Sequence, residues 1–268
     1  GGLIWGPQGF AEIEYTYNDR NFCIAEKLLS VRGGAAIHNT GLYSSLTREV
    51  DPDGRPLSVK YFDASGNLTL FENDYAEIRY EYDLGGREIS RSFYDREGNL
   101  IDCRRGFCRK TMSYDPLGNV MKEAYYDTSG NLTDTTMGYA TAVHTYDEMG
   151  NLISKRYYDT KLMTVTPDGA ACAYELRDYD DSGRLISETF FDEYDAYVLC
   201  MEGYAIHTIK YSDSGRVAKE SFLDENEMPI AVDGFSSREL ISEDVENQTC
   251  LMRVLNEASD DENGSYTL

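Results

Sequence analysis

The chain has 268 residues, with 48 Asp and Glu against 25 Lys and Arg, a net charge of −23 and an isoelectric point near 4.4. Such a surface repels DNA, RNA and anionic lipid, so a nucleic-acid partner is not expected. An apolar content of 41% can supply a core and 22 Tyr against 1 Trp lean toward β structure, but no apolar run reaches the roughly 18 residues of a membrane span.

Taken in order, the chain opens Gly1-Gly2 and carries its single Trp at position 5. This start reads as the interior of a longer sequence, so flanking domains of a larger parent are expected and a missing leader says nothing about export. From Gly9 onward the sequence repeats. Segments that open on Gly (or Asp) and, in most units, an aromatic residue start at 9, 41, 74, 106, 138, 169, 203 and 234. The period is about 32 residues, and the units are 9–40, 41–73, 74–105, 106–137, 138–168, 169–202, 203–233 and 234–268. The last is degraded, as terminal caps of repeat arrays tend to be.

Each unit carries a doubled motif. SYDPLGN at Ser113 is followed by YYDTSGN at Tyr125 and then by TYDEMGN at Thr145, so Tyr-Asp-x-x-Gly-Asn recurs at intervals of 12 and 20. Asp suits the first position of a type I turn, where its carboxylate caps backbone N–H groups, and Gly suits the left-handed position that completes a three-residue hairpin loop. Asn21 stands in for Gly in the first unit. The second turns at Asp159, Asp192 and Asp224 lack Gly and are expected to differ in shape.

With Glu148-Met149-Gly150 as the loop, Tyr146 faces Leu152, His144 faces Ser154, Ala142 faces Arg156 and Ala140 faces Tyr158. That face is largely apolar across units, for example Ala76, Ile78, Tyr80 and Tyr82 with Tyr94, while Glu77, Arg79 and Glu81 line the other. The alternation predicts a half-buried antiparallel hairpin. In this register the first aromatic of each doublet falls on the charged face: Tyr61, Phe93, Tyr125, Tyr157, Phe190 and Phe222. These six are the candidate ligand-binding residues, as an aromatic strip with a charged fringe. The alternative is that they pack beneath the connecting segment.

No other pattern carries chemistry. Cys23, Cys103, Cys108, Cys172, Cys200 and Cys250 form no Cys-x-x-Cys pair, so no metal site is expected. Cys103 and Cys108 could bridge a loop, but all six read better as small buried hydrophobes. His144 and His207 sit at strand-interior positions and are expected to be packed and hydrogen-bonded. DPDGR at Asp51 and DDSGR at Asp180 lack the distal bidentate Glu of calcium loops. Sequons fall at Asn67, Asn131, Asn247 and Asn263; the first two come from the repeated GNLT and read first as turn residues. No catalytic residue and no cofactor is implied.

The doubled Tyr-Asp punctuation at Tyr82-Asp83, Tyr94-Asp95, Tyr114-Asp115, Tyr126-Asp127, Tyr146-Asp147, Tyr158-Asp159 and Tyr179-Asp180 resembles the YD-repeat (Rhs/teneurin-type) surface proteins. That resemblance implies strands wound into extended or closed shells without catalysis of their own. The stretch YYDTSGNLTDTTMGYA is more weakly similar to choline- and glucan-type cell-wall-binding repeats, and the hairpin ladder to MORN-type repeats. The expectation is an all-β chain of tandem 32-residue β-hairpin repeats, stacked as an elongated solenoid or a twisted antiparallel sheet. The expected function is a non-enzymatic, extracellular or cell-surface spacer or adhesin that binds a polysaccharide or a protein. The alternative is a scaffold segment of a YD-type shell enclosing a toxin or effector domain.

Overall fold

A computed structural model describes residues 6–244, 249–256 and 265–266. Trp5 and the sequons at Asn247 and Asn263 lie outside the described residues. The described chain is all-β. Its strands are β1 (Glu12–Tyr17), β2 (Cys23–Leu29), β3 (Ser45–Val50), β4 (Pro56–Phe62), β5 (Glu77–Tyr82), β6 (Glu88–Tyr94), β7 (Arg109–Tyr114) and β8 (Val120–Tyr126). They continue as β9 (Thr141–Tyr146), β10 (Leu152–Tyr158), β11 (Tyr174–Tyr179), β12 (Leu185–Phe191), β13 (Ile206–Tyr211), β14 (Val217–Leu223), β15 (Ser237–Asp244), β16 (Thr249–Leu255) and the short β17 (Ser265–Tyr266).

The chain divides into two compact units, Gly1–Ser113 with Glu123–Thr136, and Tyr114–Lys122 with Met137–Leu268. Within the first, the hairpins β1–β2, β3–β4 and β5–β6 are antiparallel, and each pairs with the next through three residues. The second is built the same way from β9–β10, β11–β12, β13–β14 and β15–β16. The hairpin repeat of the sequence is therefore the repeat of the fold.

The turns have the expected chemistry. Asp147 Oδ1 accepts the N–H of Met149 (2.9 Å) and of Asn151 (2.8 Å), and Oδ2 accepts Asn151 Nδ2 at 2.8 Å. Gly150 takes φ +87° and donates its N–H to Asp147 O. The side-chain bond from Asn151, with the backbone N–H groups, holds the Asp147 carboxyl below its ordinary range. The turns that lack Gly were expected to differ in shape, and they do not. Leu162, Asp195 and Glu227 stand in the left-handed region at φ 63°, 64° and 61°, and Asp159, Asp192 and Asp224 cap the same two N–H groups. Two carboxylate caps per turn, with the backbone N–H of the left-handed residue donated to the Asp carbonyl, hold a conformation that the unaided residue disfavours.

The expected register fails beyond the turn. Tyr146 does face Leu152, but Ile153 is then an extra residue, and Ser154 pairs with Thr145, Lys155 with His144 and Tyr157 with Ala142. The same bulge falls at Leu57, Ile89, Ile186 and Ala218. One inserted residue turns every later side chain of the strand to the opposite face. The first aromatic of each doublet thus shares the face of Ile78 and Ala142, and the second, such as Tyr94, lies opposite Glu77 beneath the Arg79 guanidinium (3.8 Å from the ring centre).

Within each unit, successive hairpins are joined at one small buried residue: Ser44, Ala76 and Cys108 in the first, Ala173, Ala205 and Ser236 in the second. Ala76 donates its N–H to Tyr94 O of its own hairpin and accepts the N–H of Tyr61 from the preceding one. Ala205 does the same between Leu223 O and Phe190 N–H. Enclosed by two strands, this position has no room for a larger side chain.

Candidate functional site

Because of the bulge, the aromatic row is interior. Phe93, Tyr125, Phe190 and Phe222 are buried, and Tyr61 and Tyr157 are half-buried. The connecting segment returns over them. Ile101 donates its N–H to Phe93 O, and Thr69, Thr133, Val165, Val198 and Ile230 do the same at Tyr61, Tyr125, Tyr157, Phe190 and Phe222. The aromatic that opens the following repeat then slots between neighbours. In the first unit Tyr61, Tyr75, Phe93, Phe107 and Tyr125 follow one another at ring-centre distances of 6.2, 4.8, 5.8 and 4.7 Å. In the second, Tyr139 meets Tyr157 at 4.8 Å, and Tyr204 lies between Phe190 (5.8 Å) and Phe222 (5.1 Å). The structure brings Tyr61, Phe93 and Tyr125 together in one ladder and Phe190 and Phe222 in another. Burial pushes the Tyr61 phenol up, and that of Tyr75 to about 12. Of the two arrangements open to the row, packing beneath the connecting segment is the observed one.

The first unit leaves a cleft of about 300 Å³ over this ladder. Phe71 and Cys103 occupy the same place in successive repeats, each donating its N–H to the aromatic four residues on, Tyr75 O and Phe107 O respectively. A thiol where the neighbour has a phenyl ring opens the space. Rings of Phe71, Tyr75, Phe93, Phe107 and Tyr125 form its walls. Three cations reach it. Arg91 is held by Glu88 through two bonds of 2.6 and 2.9 Å, and Lys110 by Glu123 at 2.5 Å. Arg105 is exposed. Burial raises the carboxyl of Asp74, at the rim, although the Arg104 N–H bonds it at 2.8 Å. Burial likewise pushes the Cys103 thiol up, which keeps it protonated and a poor nucleophile. Such a cleft offers ring faces, cationic donors and the carboxyls of Glu72 and Asp74, a set suited to holding a polar ring or a peptide side chain.

The second unit buries ionic groups instead. His207 Nδ1 lies 3.3 Å from Glu188 Oε1, and Nε2 lies 2.9 Å from Glu220 Oε1. Tyr204 donates its hydroxyl to Glu188 Oε1 at 2.6 Å, Arg177 stands 3.5 Å from Glu188, and Arg238 pairs with Glu220. Burial pulls the His207 pKa down, but two glutamates more than offset this and raise it to about 9. The imidazolium is a cross-link between β12, β13 and β14. His144 donates its Nδ1–H to Val120 O at 3.0 Å.

The cations Arg91, Lys110 and Arg105, and Cys103, were not singled out as site residues from the sequence. Arg91 stands two residues before Phe93 and shares its face, so the bulge that turns the ring inward brings the guanidinium to the cleft with it. All six cysteines are free, and among the described residues no group of three or more His, Cys, Asp or Glu could hold a metal ion. Among the described residues no helix is long and apolar enough to cross a membrane.

No family model and no curated protein matches the chain. Among solved structures it is similar to the Tc holotoxin pore of Photorhabdus luminescens in a TccC3 mutant form, at 13% identity over 90% of this chain with a TM-score of 0.30. It is also similar to the TcdB2-TccC3-TEV structure (11% identity, 89% of this chain, TM-score 0.29) and the TcdB2-TccC3-Cdc42 structure (12%, 90%, 0.26). The chain spans only 13%, 15% and 14% of those chains. At such scores these likenesses carry no argument about function.

Proposed function

We propose that the chain is a non-enzymatic repeat module, a spacer of an extracellular or cell-surface protein that holds a polysaccharide or protein ligand in the cleft over Phe93. The observation that supports this is the combination in one place of ring walls and cations on a chain of net charge −23. The rest of each repeat serves architecture: a capped turn, a bulge, a small joint residue and a ladder of rings. Aromatic faces and guanidinium groups supply much of the contact energy in sugar and peptide recognition.

The test is retention on glycan and peptide arrays by the wild type and by Arg105→Ala. Arg105 is exposed, so the thermal melt should not move while retention falls. Equal retention by both proteins would reject the cleft as the contact.

A further inference from the structure

The cleft over Phe93 stands on a pairing that the other joints within the two units do not use. Where one hairpin meets the next, the middle residues of the short ladder lie directly opposite each other on the face of the aromatic rings. At β4–β5 they are Val59 and Ile78, and at β2–β3 they are Glu26 and Leu46, with Arg48 taking up the glutamate. In the second unit a cation meets a carboxylate each time: Lys155 with Glu175, His207 with Glu188 and Arg238 with Glu220. At β6–β7 the pair is Arg91 and Lys110. Like charges directly opposite across two strands are destabilising.

This unfavourable pair coincides with the space that Cys103 leaves above the ladder, and both cations line it. Lys110 Nζ lies 5.8 Å from the centre of the Tyr125 ring, and Arg91 Cζ lies 5.8 Å from that of Tyr80. Glu88 of β6 holds Arg91, and Glu123 of β8 holds Lys110. The two carboxyls of the cleft are engaged by Arg104, Glu72 at 3.2 Å and Asp74 through the backbone N–H at 2.8 Å. An anion placed between Arg91 and Lys110 replaces their repulsion with charge-assisted hydrogen bonds. We propose that the cleft takes a carboxylated pyranose, one acidic sugar of an otherwise neutral glycan, with its carboxylate between Arg91 and Lys110 and a C–H face of its ring on the aromatic wall. This rests on the reading of the cleft as the ligand site. The cation pair selects the anion and the walls select the sugar. Five rings offer faces, and an aspartate or glutamate side chain brings a carboxylate but no ring to lay on them. At about 300 Å³ the cleft is at the small end of ligand pockets. A net charge of −23 repels a long run of carboxylates outside it, which favours a single acidic residue over a polyanion.

The probes are the methyl glycosides of glucuronic, galacturonic and N-acetylneuraminic acid, each beside its carboxyl methyl ester. They are titrated into the 268-residue chain while the ring signals of Phe93 and Phe107 are followed by NMR. At least one acid should shift those signals with a Kd ~10-fold or more below that of its ester, the gain expected of one charge-assisted pair. Arg91→Val with Lys110→Ile copies the Val59–Ile78 pair of the preceding joint. It should keep the circular dichroism of the wild type and bind acid and ester alike. Equal affinity of the wild type for acid and ester, or no shift with any acid, overturns the inference. The array comparison with Arg105→Ala then decides the cleft reading separately. Acid preference that survives in the double variant overturns it too. Capped aspartate and glutamate amides that bind as tightly as the best sugar acid would assign the cleft to an acidic peptide, with the same result. The comparison of acid with ester is made on the wild type and holds whether or not the variant folds.

Discussion

Replacing Glu227 with Gly should stabilise the protein. Glu227 holds φ 61° at the last loop position of the Asp224 turn, where most other turns have Gly. Left-handed backbone costs an L-residue about 1–2 kcal/mol. Glycine removes that cost but adds about 0.4–1 kcal/mol of unfolded-chain entropy. The side chain is exposed and the Asp224 cap is made to the backbone of Asn226 and Met228, so neither burial nor capping is lost. The balance is a gain of about 0.5–1 kcal/mol, which raises the melting temperature of a chain this size by roughly 1–4 °C. Gly130→Ala is the mirror experiment. Gly130 takes φ +83° and a Cβ there meets nothing within 4 Å, so the change isolates backbone strain and should lose about as much as Glu227→Gly gains. Urea denaturation of the two variants beside wild type measures both. A loss on Glu227→Gly comparable to that on Gly130→Ala would refute the claim that the two turns share one shape.

Truncating the ladder should be expensive in either unit: Phe93→Ala and Phe222→Ala should each cost about 3–5 kcal/mol, and melts that move by only a degree or two would show that these rings are not packed as core. His207 makes stability depend on pH. Its folded pKa, about 9, lies above the ordinary 6.5, so the stabilisation is fully present below pH 6.5 and is lost as pH rises through about 9. Between pH 6 and pH 9 the wild type should lose about 3 kcal/mol more than His207→Gln does, and parallel pH profiles for the two would show that the imidazole is not held charged.

What the sequence settled by itself was local and periodic. Asp at the first turn position and Gly three residues later state a capped left-handed turn at Asp147 or Asp127 with no reference to the rest of the chain, because the atoms concerned lie within five residues. The 32-residue period follows from repeating that statement, and alternation in Ile78, Tyr80 and Tyr82 gives the inward face of the first strand of a hairpin. Tertiary structure decided the rest. The bulge at Ile89 or Ile153 has no composition cue, since an apolar residue fits either face, yet it alone determines that Phe93 and Tyr157 point inward. The left-handed turns at Leu162 and Glu227 exist because the Asp cap and two paired strands impose a conformation that neither residue prefers. The cleft over Phe93 depends on Cys103 lying beside Phe71, residues 32 positions apart that meet only when the two connecting segments are stacked. Short-range hydrogen bonding is written in consecutive residues, whereas the face a side chain occupies and the space beside it are set by what packs against it.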